Sequence, residues 1–175
     1  DLKVVFFIPD GSNEFMDSLA EAVARRSMLA LSDRMHLSTR RIRALDAGSL
    51  AAGLDALDPK DCDCAVIVTS EEPEILAAVD SATRRGIAVM TLVSDLPGSA
   101  RKHFIGVDNV AAGRTAASLM GRFLPEKGGD VAVLAGSMLV KDHRERLAGF
   151  QFVMADEFPD LRLLPVLEGR DDPET

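Results

Sequence analysis

The sequence predicts an α/β protein in two lobes, each a parallel sheet wound with helices on both faces. Three observations carry the prediction. First, short apolar runs, VVFFI, CAVIV, AVMTLV and VAVLAG, alternate with stretches of helical periodicity. The runs are continuously apolar rather than alternating, as expected of strands buried on both faces. Second, residues 91–109, TLVSDLPGSARKHFIGVDN, join two apolar runs without any helical pattern and read as a crossover between lobes. Third, the strand and helix rhythm resumes after that crossover and stops early. The expected organisation is an N-terminal lobe over residues 1–97, a crossover over 98–104, and a C-terminal lobe over 105–175 that is only partial.

Taken in order, residues 2–9 (LKVVFFIP) form the first strand, and Asp10-Gly11-Ser12-Asn13 supply turn and helix N-cap chemistry. From Glu14 the period is helical. Phe15, Leu19 and Val23 recur every fourth residue, while Glu14, Asp17, Glu21 and Arg25 take the other side. Residues 35–42 (MHLSTRRI) read as a polar second strand toward a sheet edge, and 47–57 as a short helix rich in Ala and Leu. Residues 64–69 are a third strand. Glu72-Pro73 open a helix with Pro in its first turn, which closes at Gly86. Residues 88–93 are the fourth strand.

Beyond the crossover, residues 104–107 read as a strand and Asp108-Asn109 as the cap of a helix over 110–124. Residues 131–135 are a strand, Gly136-Ser137 a turn, 142–157 an amphipathic helix with Leu147, Phe150, Val153 and Met154 as its apolar stripe, and 161–167 a last strand. A second lobe of three strands and two helices has an unprotected sheet edge, which is the reason to expect that more of the lobe belongs with it.

Composition narrows the function. The chain has 175 residues, 47% of them hydrophobic and 27% charged, within the range of folded globular domains. A net charge of −8 argues against a large phosphate-binding surface, so operator DNA is out of reach of this segment by itself. The apolar runs are too short to cross a bilayer. The only cysteines, Cys62 and Cys64, are one residue apart, too close for a useful disulfide, and alternation points both to one sheet face. They read as buried or half-buried thiols in a chain made for a reducing compartment, and no further ligands cluster near them for zinc. No G-x-G-x-x-G, P-loop, G-x-S-x-G or HExxH is present, and the carboxylate pairs Asp61/Asp63 and Asp171/Asp172 have no partner base. The expectation is a protein that is not an enzyme and holds neither metal nor cofactor.

Ligands of open parallel sheets bind beyond the carboxyl ends of the strands, where loops and helix N-termini supply polar groups. In the first such loop, Asn13 can donate and accept while Phe15 offers a flat apolar face, a pair suited to the polar edge and C–H face of a sugar. The same spacing also allows Phe15 to be a helix core residue and Asn13 a plain cap. Ser70, within Thr69-Ser70-Glu71, can present a hydroxyl. Asp95 can accept from two hydroxyls or fix the turn before Leu96-Pro97-Gly98. Ser137 lies in the loop of residues 136–146. Arg146 borders the apolar stripe of its helix, where a guanidinium can hold a hydroxyl or carboxylate in fork geometry. His143 and Arg144 read as solvated.

The series NEFMDSLAEA, CAVIVTS, VMTLVSDLPGS, FIGVDNVAAGRTAA, VAVLAGS and HRERLAGFQ resembles the effector-binding domain of LacI-family transcription regulators, itself similar to type I periplasmic sugar-binding proteins. The most specific stretches are G-V-D-N-x-x-A-G-R-T-A-A at 106–117 and R-E-R-L-A-G-F at 144–150. The resemblance implies a periplasmic-binding-protein-like type I fold. It implies that the aromatic of Asn13-x-Phe15 packs on the sugar, that Arg146 grips ligand hydroxyls, and that Asp108 and Asn109 lie at the first hinge strand. The polar residue after the fourth strand corresponds to Ser94 or Asp95. The implied protein is a cytoplasmic homodimeric regulator that senses a small sugar or polyol in the cleft between lobes and switches its affinity for operator DNA. The DNA-binding helix-turn-helix and hinge helix of that family, and the end of the second lobe, are not in the sequence. The alternative is a periplasmic sugar-binding protein of an ABC transporter.

Overall fold

A computed structural model describes residues 1–10, 14–44, 46–124, 128–138 and 140–169. They form two compact units, Asp1–Gly106 and Val107–Thr175. The candidate residue Asn13, together with Asp171 and Asp172, lies outside the described residues.

In the first unit, β1 (Leu2–Asp10), β2 (Met35–Arg43), β3 (Cys64–Ile67), β4 (Ala88–Leu92) and β5 (His103–Ile105) make one parallel sheet in the order β2-β1-β3-β4-β5. The polar strand β2 is indeed at an edge, and β3, flanked by strands on both sides, is buried along its whole length. The order reverses direction between β1 and β3, so right-handed crossovers place helices on opposite faces. Helix α1 (Glu14–Ala30) packs on β1 and β2, while α2 (Ala47–Asp55) and α3 (Pro73–Arg84) pack on each other over the other face. There Val5, Phe7, Ile67, Leu54, Val79 and Val89 form the main core. Val4, Val66 and Cys64 lead a smaller cluster on the α1 side.

Local capping chemistry bounds these helices, with Pro73 and Gly86 as the sequence predicts and Asp46 as a cap it did not single out. Asp46 caps α2 by accepting from the Ser49 N–H at 3.0 Å, Pro73 opens α3, and Gly86 follows it with a left-handed φ of 93°. Arg85 ties α2 to α3 by donating to the carbonyls of Leu54 and Leu57 at 2.8 and 2.6 Å, a cation on the negative end of the α2 dipole.

Three expectations change. The strand at 103–105 pairs with β4 and belongs to the first sheet, and the contacts divide after Gly106, whereas the sequence reading put a crossover at 98–104 and began the second lobe at 105. The residues between β4 and β5 pass no helix, and a short connection can only bring the chain back to the neighbouring edge. The cysteines face opposite sides: Cys62 packs with Val5 and Phe7, Cys64 with Val4 and Val66. Alternation fails for Cys62 because β3 begins only at Cys64, and the Cys62 thiol turns back to donate to the Cys64 carbonyl at 3.3 Å. Burial pushes both thiols up, that of Cys64 to about 11. On α1 the buried side is carried by Val23 and Ala30, and Phe15 stands off it, 56% exposed.

In the second unit, α4 (Asn109–Phe123) and α5 (Lys141–Glu157) cross in close contact. An added Cβ at Gly113 would lie 1.9 Å from the Arg146 carbonyl oxygen, and one at Gly149 would lie 2.1 Å from that of Val110. Only glycine at both points lets the two backbones meet. Beside the crossing, Ala117, Phe150, Val153, Met154 and Val131 form the core. The two strands expected at 131–135 and 161–167 are each broken. β6 (Gly129–Val131) pairs with β8 (Leu161–Leu163), and β7 (Leu134–Ala135) with β9 (Leu167–Glu168). Three residues, Leu164, Pro165 and Val166, stand opposite two, Ala132 and Val133, which is a bulge. Pro165 has no N–H for a ladder and is tolerated at such a point.

Candidate functional site

The parallel sheet of the first unit brings three of the candidate loops to one edge. Phe15 follows β1, Ser70 follows β3 and Asp95 follows β4, and these strands are consecutive neighbours. The β1/β3 boundary is the switch point, where diverging loops leave a crevice. Phe15 is the second residue of α1 and exposes its ring there, which removes the core-residue alternative. The Ser70 hydroxyl donates to Glu72 Oε1 at 3.0 Å, just before α3.

Asp95 is held more firmly. Its Oδ1 accepts from the Thr91 hydroxyl at 2.9 Å and the Leu96 N–H at 2.8 Å, and its Oδ2 from Arg101 Nη2 at 2.7 Å. Burial pushes its carboxyl up, but these hydrogen bonds outweigh it and hold the group below the usual carboxylate range. Asp95 therefore fixes the turn, one of the two roles open to it, and remains negative beyond the end of β4. Thr91 was the available clue: a hydroxyl fully buried in the middle of an apolar strand must find a partner, and Asp95 is four residues on.

The turn is reached through Val93, whose φ is 69°. The Ser94 N–H donates to the Leu92 carbonyl at 2.8 Å across it, closing a γ-turn, and the Val93 N–H donates to Ile105 at 2.9 Å. A β-branched residue in this region is strained, and it persists because the bonds on either side over-determine it.

In the second unit the helix crossing assembles the other candidates. Asp108 caps α4 by accepting from the Ala111 N–H at 2.9 Å, as its sequence predicted. Asn109, only 4% exposed, donates to the Val107 carbonyl at 3.3 Å and accepts from Arg146 Nη2 at 2.6 Å. The two most specific stretches of the resemblance thus meet at the two glycines and at this one charge-assisted bond. Ser137 lies just beyond β7 and is buried. His143 is not solvated: its side chain is 18% exposed and its Nδ1 accepts from the Ser137 N–H at 2.9 Å. The first turn of a helix folds back over the preceding loop, so six residues of separation brought the two into contact. Arg144 is exposed but also turns back, donating to the Met138 carbonyl at 2.9 Å. No cluster able to hold a metal occurs among the described residues, and no helix among them is long and apolar enough to cross a membrane.

In the first unit a hydroxyl, a fixed carboxylate and an exposed ring lie beyond the strand ends, and in the second unit Arg146 presents its guanidinium from α5. Comparison with known proteins agrees on the architecture. An ABC transporter solute-binding protein from Burkholderia graminis, solved with D-arabinose, superimposes with a TM-score of 0.84 at 24% identity, covering 98% of this chain and 57% of that one. A glucose-galactose binding protein from Geobacillus stearothermophilus gives 0.81 at 21%, covering 97% and 59%. The fructose-binding periplasmic domain of a hybrid two-component system gives 0.83 at 19%, covering 98% and 55%. The chain therefore spans less than two thirds of the length of each. No curated protein matches it in sequence. The family model described as "periplasmic binding protein domain" matches residues 4–175, and the chain belongs to that family.

Proposed function

We propose that this chain binds a small sugar or polyol. The observation that carries the reading is the edge formed beyond β1, β3 and β4, where the exposed Phe15 ring stands with the Ser70 hydroxyl and the ionised Asp95. A ring face suits the C–H side of a pyranose or furanose, and oxygen acceptors suit its hydroxyls. In the second unit Arg146, already oriented by Asn109, is the candidate donor to ligand hydroxyls.

Within this reading the chain is the ligand-sensing part of a cytoplasmic, homodimeric LacI-type regulator. Sugar favours one arrangement of the protein, and the change is passed to DNA-binding heads outside this segment, with Asp108 and Asn109 as hinge residues. The rival reading is the solute-binding component of an ABC transporter, supported by what two of the similar structures are. Operator binding by the complete protein, released by sugar, speaks for the first; delivery of sugar to a permease speaks for the second. The sugar reading itself is tested by calorimetry. Arg146→Ala is expected to abolish the binding heat of whichever sugar the parent binds, and undiminished binding by that variant sinks the assignment.

A further inference from the structure

The loop after β7 is gripped to an unusual degree. Two consecutive peptide groups, those of Ser137 and Met138, are held by three side chains from α5 and β9. The Ser137 N–H donates to His143 Nδ1 at 2.9 Å. The Met138 N–H donates to Glu168 Oε2 at 3.0 Å, and the Met138 carbonyl accepts from Arg144 Nη1 at 2.9 Å. Loop backbone usually satisfies itself with water, and ordering arginine and glutamate side chains costs rotamer freedom. Holding one loop in one pose is what offsets that cost.

Which ring nitrogen accepts follows from the direction of these bonds. Nδ1 also lies 3.1 Å from the Ser137 carbonyl oxygen, but one nitrogen cannot accept from the N–H and donate to the C=O together. A backbone N–H can only donate, so the 2.9 Å bond from Ser137 requires a lone pair on Nδ1, while the carbonyl accepts from the Val140 N–H at 3.2 Å. Nδ1 is therefore the acceptor and the ring proton is on Nε2, the side on which Asp142 Oδ2 lies 3.9 Å away.

We infer that His143 is a positioning residue for sugar recognition, an acceptor that fixes the Ser137 peptide so that this residue meets a ligand hydroxyl. The inference rests on the sugar-binding reading above. His143 itself touches no sugar; it acts through Ser137, and Arg144 and Glu168 hold the next peptide in the same way.

The test compares His143→Ala, His143→Asn and His143→Gln with the parent in calorimetric titrations with D-arabinose, D-allose, D-fructose and D-glucose. The Asn side-chain oxygen occupies nearly the place of Nδ1, whereas the Gln oxygen reaches further. Loss of one buried acceptor is expected to weaken Kd about tenfold in the Ala variant, and Gln should fail to restore it. Asn should bind within about threefold of the parent, a rescue that a space-filling role of the ring does not provide. Equal affinities of the Ala variant and the parent overturn the inference while leaving the sugar reading intact. So does Asn no better than Gln, a comparison that stands even if the Ala variant fails to fold. A parent that binds none of the four sugars fails the underlying reading, and the inference falls with it.

Discussion

A single methyl group added at Gly113 or Gly149 probes the helix crossing on which the second unit depends. In Gly113→Ala the new Cβ starts 1.9 Å from the Arg146 carbonyl oxygen, and an ordinary contact begins near 3.4 Å, so the helices must part by about 1.5 Å. The obstacle is backbone on both sides, which no rotamer change can relieve. Gaps of about 0.5–1 Å already forfeit a quarter to a half of the dispersion attraction across a packed surface. Overpacking of this kind costs about 1–3 kcal/mol, and the severity here argues for the upper end. Parting the helices also stretches the 2.6 Å bond from Arg146 to Asn109, a charge-assisted hydrogen bond of about 1.5–3 kcal/mol. Alanine returns about 1 kcal/mol through its better helix propensity. The net expectation is a loss of about 4 kcal/mol for either variant, or roughly a thousandfold in the opening equilibrium. The chain has no Trp or Tyr, so the suitable assay is amide hydrogen exchange resolved by segment. Protection should fall across α4 and α5 and stay unchanged in α3. Gly48→Ala is the control, because its Cβ meets only Asp46 Oδ1 at 3.4 Å, and it should be neutral or slightly stabilising. If Gly113→Ala behaves like Gly48→Ala, the helices do not meet backbone to backbone and the reasoning fails.

Two further expectations concern titration. The Asp95 carboxyl is held low in the folded chain, so its contribution is present above the unfolded value of about 3.9 and is lost as pH falls through the folded value. Arg101→Ala should therefore be less stable than the parent at pH 7, and the difference in urea midpoint should shrink toward pH 3; a difference independent of pH contradicts the assignment. Cys62 and Cys64 are buried with thiols pushed up, so neither should react with a disulfide reagent at pH 8 in the folded chain, while both should react in denaturant. Rapid labelling without denaturant would refute that burial.

Where neighbouring residues alone decide a structure, the sequence could be read with little loss. The continuous apolar runs became β1, β3 and β4, Pro73 and Gly86 bounded α3, and Asp108 capped α4. What escaped depends on distant residues. Nothing local in residues 161–167 announces a bulge, because Pro165 interrupts the ladder only once β6 and β7 are alongside. Strand parity misled at Cys62, which precedes the strand it was counted into. In the candidate site the positions after strand ends were legible, but the partners of the side chains there were not. Asp95 is tied to Arg101 through a loop without periodicity, and His143 was discounted because an isolated histidine carries no signal until its helix is folded against Ser137. The AGRT and LAGF stretches were noticed as a likeness; their physical reason, two glycines that let backbones touch, is visible only in three dimensions.

The turn at Val93 carries a consequence for engineering. Its valine sits in a backbone region with φ of 69°, where each side-chain atom raises the energy of the fold. A strained residue of this kind commonly costs about 1–3 kcal/mol against a net stability of about 5–15 for a domain. Part of this unit's thermal headroom is therefore recoverable by deleting atoms rather than by adding contacts, with glycine as the natural replacement. A search for stabilising substitutions that scores only packing would rank that change among the worst available.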